Sequence, residues 1–246
     1  MSEDVRLLHE RLEDLYVKEG LFFKGDIDRL AQQSDSQNDP SIRRGKSGEL
    51  ILQSYIKLVL NRTPITNIYI PDKTVPYFRK GHYAEIDCVF LDVTGVFLIE
   101  FKNYAGTVNG TKDADYWNVS YDNGSSYQLY NPIKQISYHE DKLTRFLQDY
   151  FTNAKNLPIV KCVIFSDTCT LNVKESFVYT QLEFLTRCKY VLENAPKCIT
   201  AGDLRKLSSL FNEYSDSSNQ MNLIHRLILN GELEHRHRDL LDKLKI

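Results

Sequence analysis

No uninterrupted apolar run in this 246-residue chain approaches the roughly 18 residues that a membrane span needs. The first residues, Met-Ser-Glu-Asp-Val-Arg, lack the apolar stretch of a secretory leader. Both absences predict a protein that is neither exported by that route nor membrane-spanning. The five cysteines form an odd set without a C-x-x-C pair, which argues against zinc ribbons and fits a reducing cytoplasm. There is also little imbalance of charge. Thirty-one Lys and Arg against 33 Asp and Glu leave a formal net charge of -2, so a nucleic acid partner has to be held by a local basic patch. Internal repeats and low-complexity tracts are lacking. Hydrophobic residues at 42% and charged residues at 26% exclude collagen-like, mucin-like and wholly disordered classes and predict one main folded domain.

What is present reads as an α/β chain. Val5, Leu8, Leu12 and Leu15 recur at helical steps, and Gln32 to Pro40 has almost nothing to bury, so an amphipathic helix and a polar linker precede the main domain. A first core helix is expected over Leu50 to Leu60, capped by Ser47, with Ile51, Tyr55, Leu58 and Val59 along its inner face. Ile65 to Pro71, Ala84 to Leu91 and Val96 to Lys102 read as strands, with Asp92-Val93-Thr94-Gly95 as the turn between the last two. Val96 to Ile99 is apolar at every position, the mark of a central strand covered on both faces. Gly106 to Tyr130 carries Asn109-Gly110 and Asn123-Gly124 and suggests a hairpin-rich excursion. Asn131-Pro132 opens a second core helix running to about Phe151. Ile159 to Phe165 is a buried strand, followed by a mixed region and a helix signalled by Thr200. Met221 to Ile246 is a final helical stretch placed to pack on the domain, on a partner or on a second copy.

Charges inside otherwise buried strands are the informative feature, because burying an ion is costly without compensation. Glu85-Ile86-Asp87 lies in one strand and Glu100-Phe101-Lys102 in the next. If the turn closes with Asp92 facing Gly95, Asp87 falls opposite Glu100 with Cβ atoms roughly 5 Å apart, and Lys102 shares their face. A three-residue loop would slip the register and separate the carboxylates. Two carboxylates side by side repel, and hard oxygen ligands converging on one point suit Mg²⁺ or Mn²⁺. The Lys102 ammonium could then position or help deprotonate a water attacking a phosphodiester. The competing reading is a structural Glu-Lys pair at a strand end.

The runs Gly45-Lys46-Ser47-Gly48-Glu49, Glu85-Ile86-Asp87, Gly95 through Gly106 and Asn131-Pro132-Ile133-Lys134-Gln135 closely resemble the nuclease-related domain (NERD) family of the PD-(D/E)xK nuclease superfamily. The resemblance covers about half the chain, from Arg44 to Phe165. It implies a restriction-endonuclease-like core, a mixed central sheet flanked by helices in the order helix, three strands, helix, strand. Residues 41–198 would form that core, with helical extensions at 1–40 and 199–246. It further implies Asp87, Glu100 and the Phe101 carbonyl as metal ligands and Lys102 as the catalytic lysine. Glu49 would reach the metal directly or through water, and Gln135 would touch Lys102, the water or a nucleic acid strand. The family usually carries a hydroxyl residue before the E-I-D triplet, where this chain has Ala84.

Arg43, Arg44 and Lys46, and Arg79, Lys80 and His82, are the basic groups that would hold phosphates near such a site, although charge runs are usually solvated faces. Tyr138 reads as packed and His139 as exposed on the second core helix, and His235 and His237 as surface residues. The expected function is a Mg²⁺- or Mn²⁺-dependent nuclease acting on DNA, in DNA processing or defence against foreign DNA. The alternative is a catalytically inactive module of the same fold that binds nucleic acid or protein.

Overall fold

A computed structural model describes residues 40–75, 81–151 and 154–216, without the side chains of residues 40–47, 155 and 216. The amphipathic pattern at Val5 to Leu15, the linker from Gln32 up to Asp39, Arg79, Lys80 and the stretch from Met221 lie outside the described residues, while Pro40 already belongs to a helix. Described residues from Arg44 to Asp72 and from Tyr83 to Asp216 belong to one compact unit, and the architecture that follows is that unit's. Lys73 to Val75, Gly81 and His82 belong to a second, in which His82 Nδ1 lies 2.6 Å from the Val75 carbonyl.

Strands β1 (Ile65–Pro71), β2 (Tyr83–Asp92) and β3 (Gly95–Lys102) pair antiparallel. Beyond them, β7 (Ile159–Phe165) pairs parallel to β3 and β9 (Val178–Thr180) parallel to β7, giving the sheet order β1-β2-β3-β7-β9. The central position read from Val96 to Ile99 is therefore occupied, and each of these four side chains is buried. Helices α1 (Pro40–Val59) and α3 (Gln181–Asn194) cover one face. Leu52, Ile56, Phe184 and Leu185 pack there against Phe90, Phe97, Ile99 and Ile164. Helices α2 (Pro132–Gln148) and α4 (Ala201–Asp216) cover the other, with Ile136, Leu143, Leu207 and Phe211 over Val89, Val96, Leu98 and Val163. The observed architecture is α/β with a mixed sheet between helices.

The excursion after β3 forms a second sheet. Strands β4 (Gly106–Asn109), β5 (Tyr116–Ser120), β6 (Ser126–Tyr130) and β8 (Cys169–Asn172) run in the order β6-β5-β4-β8. Asn123-Gly124 makes the β5-β6 turn, but Asn109-Gly110 starts a longer loop closed when Trp117 Nε1 donates to the Thr111 carbonyl at 2.9 Å. Asn131 both caps α2, accepting from Ile133 N at 2.9 Å, and donates its amide to the Ala114 carbonyl at 2.6 Å, which ties the helix start to that loop.

Two expectations change. Helix α1 begins at Pro40, ahead of the Ser47 cap, and its inner stripe is Gly48, Leu52, Ile56 and Leu60 at four-residue steps. Ile51, Leu58 and Val59 face outward. The reason is Gly48: a Cβ there would stand 2.7 Å from the Phe101 ring, so the helix rolls its bare edge toward the sheet. The mixed region contains β8, β9 and α3, whose start is a capping box in which Thr180 Oγ1 accepts from Glu183 N and Glu183 accepts from Thr180 N.

Candidate active site

The β2-β3 turn sets the register. Asp92 Oδ1 accepts from Thr94 N at 2.9 Å and from Thr94 Oγ1 at 2.8 Å, while Oδ2 takes Arg62 Nε at 2.8 Å and Nη2 at 2.6 Å. Burial raises the Asp92 carboxyl pKa, but these donors outweigh it and hold the group below the usual aspartate value. With Asp92 facing Gly95, the ladder runs to Cys88 opposite Ile99. The next residue on each strand is Asp87 and Glu100. There the backbone pairing ends, and Asp87 Oδ2 accepts the Phe101 N–H at 3.1 Å.

Glu100 is fully buried. Its Oε1 is held by Lys102 Nζ at 2.5 Å, and His139 Nδ1 of α2 stands 3.3 Å from Oε2. That contact lacks hydrogen-bond alignment, so Oε2 is a buried oxygen with no hydrogen-bond partner among the described residues. The two carboxylates are driven apart in proton affinity. Burial and the Glu100 charge raise Asp87 well above the ordinary value, against the pull of Lys102 and the Phe101 N–H. Burial also works to raise Glu100, but Lys102 and His139 overcome it and lower its pKa. At Lys102, burial favours the neutral amine, yet the charges of Glu100 and Asp87 prevail and its pKa rises, so the ammonium persists.

Glu49 lies half-buried on α1, and its charge adds to the rise in Asp87. The close approach at Gly48 brings it in, since any Cβ at Gly48 would also lie 2.6 Å from Asn103 Nδ2. Gln135 is half-buried one helical turn before His139 and makes no hydrogen bond to Lys102 among the described residues. Asp87, Glu100 and Lys102 are thus brought together, with Glu49 near enough to act on Asp87 through its charge. Arg43, Arg44 and Lys46 fall in the first turns of α1, with side chains outside the described residues.

His139 is the residue that sequence reasoning misplaced. It is buried, not exposed, because it completes the α2 stripe of Ile136, His139, Leu143, Phe146 and Leu147. The helical spacing from Ile136 was the available signal. Tyr138, next to it, is exposed and not packed.

An ion with oxygen ligands fits the orphaned Glu100 Oε2 and the charge-strained Asp87 beside it. The donor set is incomplete, however: among the described residues no three His, Cys, Asp or Glu side chains are grouped closely enough to hold a metal. Further ligands would come from the Phe101 carbonyl, Glu49, water or a substrate phosphate.

An uncharacterized protein of Bacillus anthracis is 29% identical over 129 residues, covering 52% of this chain. The chain spans about half of that relative, 55% of its length. No solved structure matches. The nuclease-related domain profile matches residues 44–166, the stretch from α1 through β7 that builds the carboxylate cluster, and the chain belongs to the nuclease-related domain family, consistent with PD-(D/E)xK ancestry.

Proposed function

We propose that this protein is a divalent-metal-dependent nuclease that hydrolyses DNA phosphodiester bonds, in DNA processing or defence against foreign DNA. The observation that carries the reading is the buried Glu100 carboxylate, paired with Lys102 through one oxygen and without a hydrogen bond at the other among the described residues, on the strand position next to the Cys88-Ile99 pair, as Asp87 is on β2. Asp87, Glu100 and the Phe101 carbonyl would hold Mg²⁺ or Mn²⁺, with Glu49 within reach. When bound, the ion supplies Lewis acidity toward the phosphate and charge stabilisation in the transition state.

The chain's own groups do the rest. Lys102, paired with Glu100 Oε1, would orient the attacking water and meet negative charge developing on phosphate oxygen. Asp87 carries the raised pKa of the pair, and a divalent cation beside it would favour the ionised, ligating carboxylate. Gln135, half-buried on α2, would touch the substrate strand, and the basic residues Arg43, Arg44, Lys46, Arg79 and Lys80 would hold phosphates. All five cysteines are free thiols, which supports a cytoplasmic setting. None of the described helices is long and apolar enough to cross a membrane.

The incomplete donor set favours one competing reading, a non-catalytic module that binds nucleic acid or a protein. Circular and linear DNA incubated with the purified protein in Mg²⁺, Mn²⁺ or EDTA decides between them. Cleavage that needs the ion and is abolished in Glu100→Gln, with DNA association retained, is the expected result. Association without cleavage in either ion would establish the module.

A further inference from the structure

We propose that His139 is a positioning residue for Glu100, fixing the carboxylate in the orientation from which Oε2 is offered to a cation. This deepens the nuclease reading and rests on it. Six of the seven buried residues of α2 are apolar or proline, and the seventh is His139, at a stripe position where an aliphatic side chain would pack without polar cost. Its ring is aimed at the sheet: Nδ1 stands 3.3 Å from Glu100 Oε2 across the α2-β3 interface. Glu100 enters that interface from a strand whose alternate residues, Val96 and Leu98, are in the apolar core. The contact is therefore the polar break in an otherwise hydrophobic seam.

Glu100 has two oxygens and two neighbours able to donate. Lys102 holds Oε1 at 2.5 Å, which alone would leave the carboxylate free to swing about that bond. The His139 ring, with Nδ1 3.3 Å from Oε2, restricts that swing. For Nδ1 to donate toward that oxygen it must carry the ring proton. The same arrangement explains why Oε2 stays available. His139 is close enough to limit the swing but is not aligned to occupy the oxygen, which has no hydrogen-bond partner among the described residues. Groups that orient a ligating carboxylate in this way commonly change metal affinity about 10- to 100-fold when removed.

The nitrogen that matters can be tested by isosteres. Asparagine places its amide N–H where Nδ1 sits, glutamine places it farther out, where Nε2 sits, and leucine fills the stripe with no donor. Mn²⁺ affinity measured by calorimetry on the DNA-free protein should weaken about 10- to 100-fold in His139→Leu and His139→Gln, and return to within a few-fold of wild type in His139→Asn. Wild-type affinity in His139→Leu overturns the proposal alone. Equal affinities in His139→Asn and His139→Gln do the same, even if His139→Leu fails to fold. If wild-type protein binds no Mn²⁺, the nuclease reading falls and takes this one with it.

Discussion

The carboxylate of Asp87 accepts the backbone N–H of Phe101 at 3.1 Å, at the point where β2 ceases to pair with β3. A side chain thus takes over from the backbone ladder. The consequence is that Asp87 is anchored by the strand that carries Glu100 and Lys102, and any change in β2-β3 register would break that bond and displace Asp87 from both. Arg62 and Thr94, at the far end of the hairpin, fix that register through Asp92.

Replacing Asp87 by Asn keeps an acceptor for the Phe101 N–H but removes a charge that burial and Glu100 oppose. A carboxyl whose folded pKa is raised destabilises the protein at pH values above its unfolded value of about 3.9, so the gain from Asp87→Asn is greatest above the raised folded pKa, shrinks as pH falls through it, and is gone below about 4. In EDTA at pH 7 the variant should melt at or above the wild-type temperature. In wild type, metal at tenfold its Kd adds about 1.4 kcal/mol, a shift of a few degrees, and Asp87→Asn should show little of it. A variant less stable than wild type in EDTA would refute the repulsion argument.

Much of this was legible in the sequence because strands with strong patterns have little freedom. Val96 to Ile99, apolar on both faces, had to be central, and Asp92 with Gly95 fixed a turn whose register put Asp87 beside Glu100. Where several faces compete, sequence is a poorer guide. Helix α1 offers two apolar stripes, and the one that packs is set by the missing Cβ of Gly48, a tertiary contact invisible to periodicity. His139 was legible as a stripe position but not as a partner of Glu100, since that contact depends on which face of β3 lies under α2. The short strands β8 and β9 owe their form to parallel neighbours: β4, far back in the chain, and β7.

Gly48→Ala tests the close helix approach. Alanine improves helix propensity by about 1 kcal/mol, but its Cβ would lie 2.7 Å from the buried Phe101 ring and 2.6 Å from Asn103 Nδ2. Overpacking costs about 1–3 kcal/mol, so urea denaturation should show a net loss of up to about 2 kcal/mol. Since the shift lifts Glu49 away from Asp87, cleavage should fall as well. Higher stability than wild type would mean that the helix can move freely.

Asp92→Asn should alter the acid limb of stability. The Asp92 pKa is lowered in the folded state, so its contribution is complete above the unfolded value of about 3.9 and is lost as pH falls through the lower folded value. At pH 7 the variant loses the Arg62 ion pair and should be less stable by about 1–3 kcal/mol. The difference from wild type should shrink steadily below pH 4. A pH-independent difference would assign the effect to packing instead.

Lys102→Met separates holding the cation from performing the chemistry. Methionine keeps most of the stem but leaves Glu100 buried without its ammonium, so the protein in EDTA should lose about 3 kcal/mol of stability, the cost of removing one partner of a buried pair. A divalent ion that supplies positive charge to the same carboxylate should restore part of that loss, making the Mn²⁺-induced rise in melting temperature larger than in wild type. Turnover should nonetheless fall by about 100-fold or more, because the donor proposed to orient the water and stabilise developing charge is gone. Both measurements are needed: a large Mn²⁺ shift with cleavage near the wild-type rate would remove Lys102 from the chemistry and leave it as a counter-ion for Glu100, while loss of the Mn²⁺ shift would mean that Lys102 organises the carboxylates for binding.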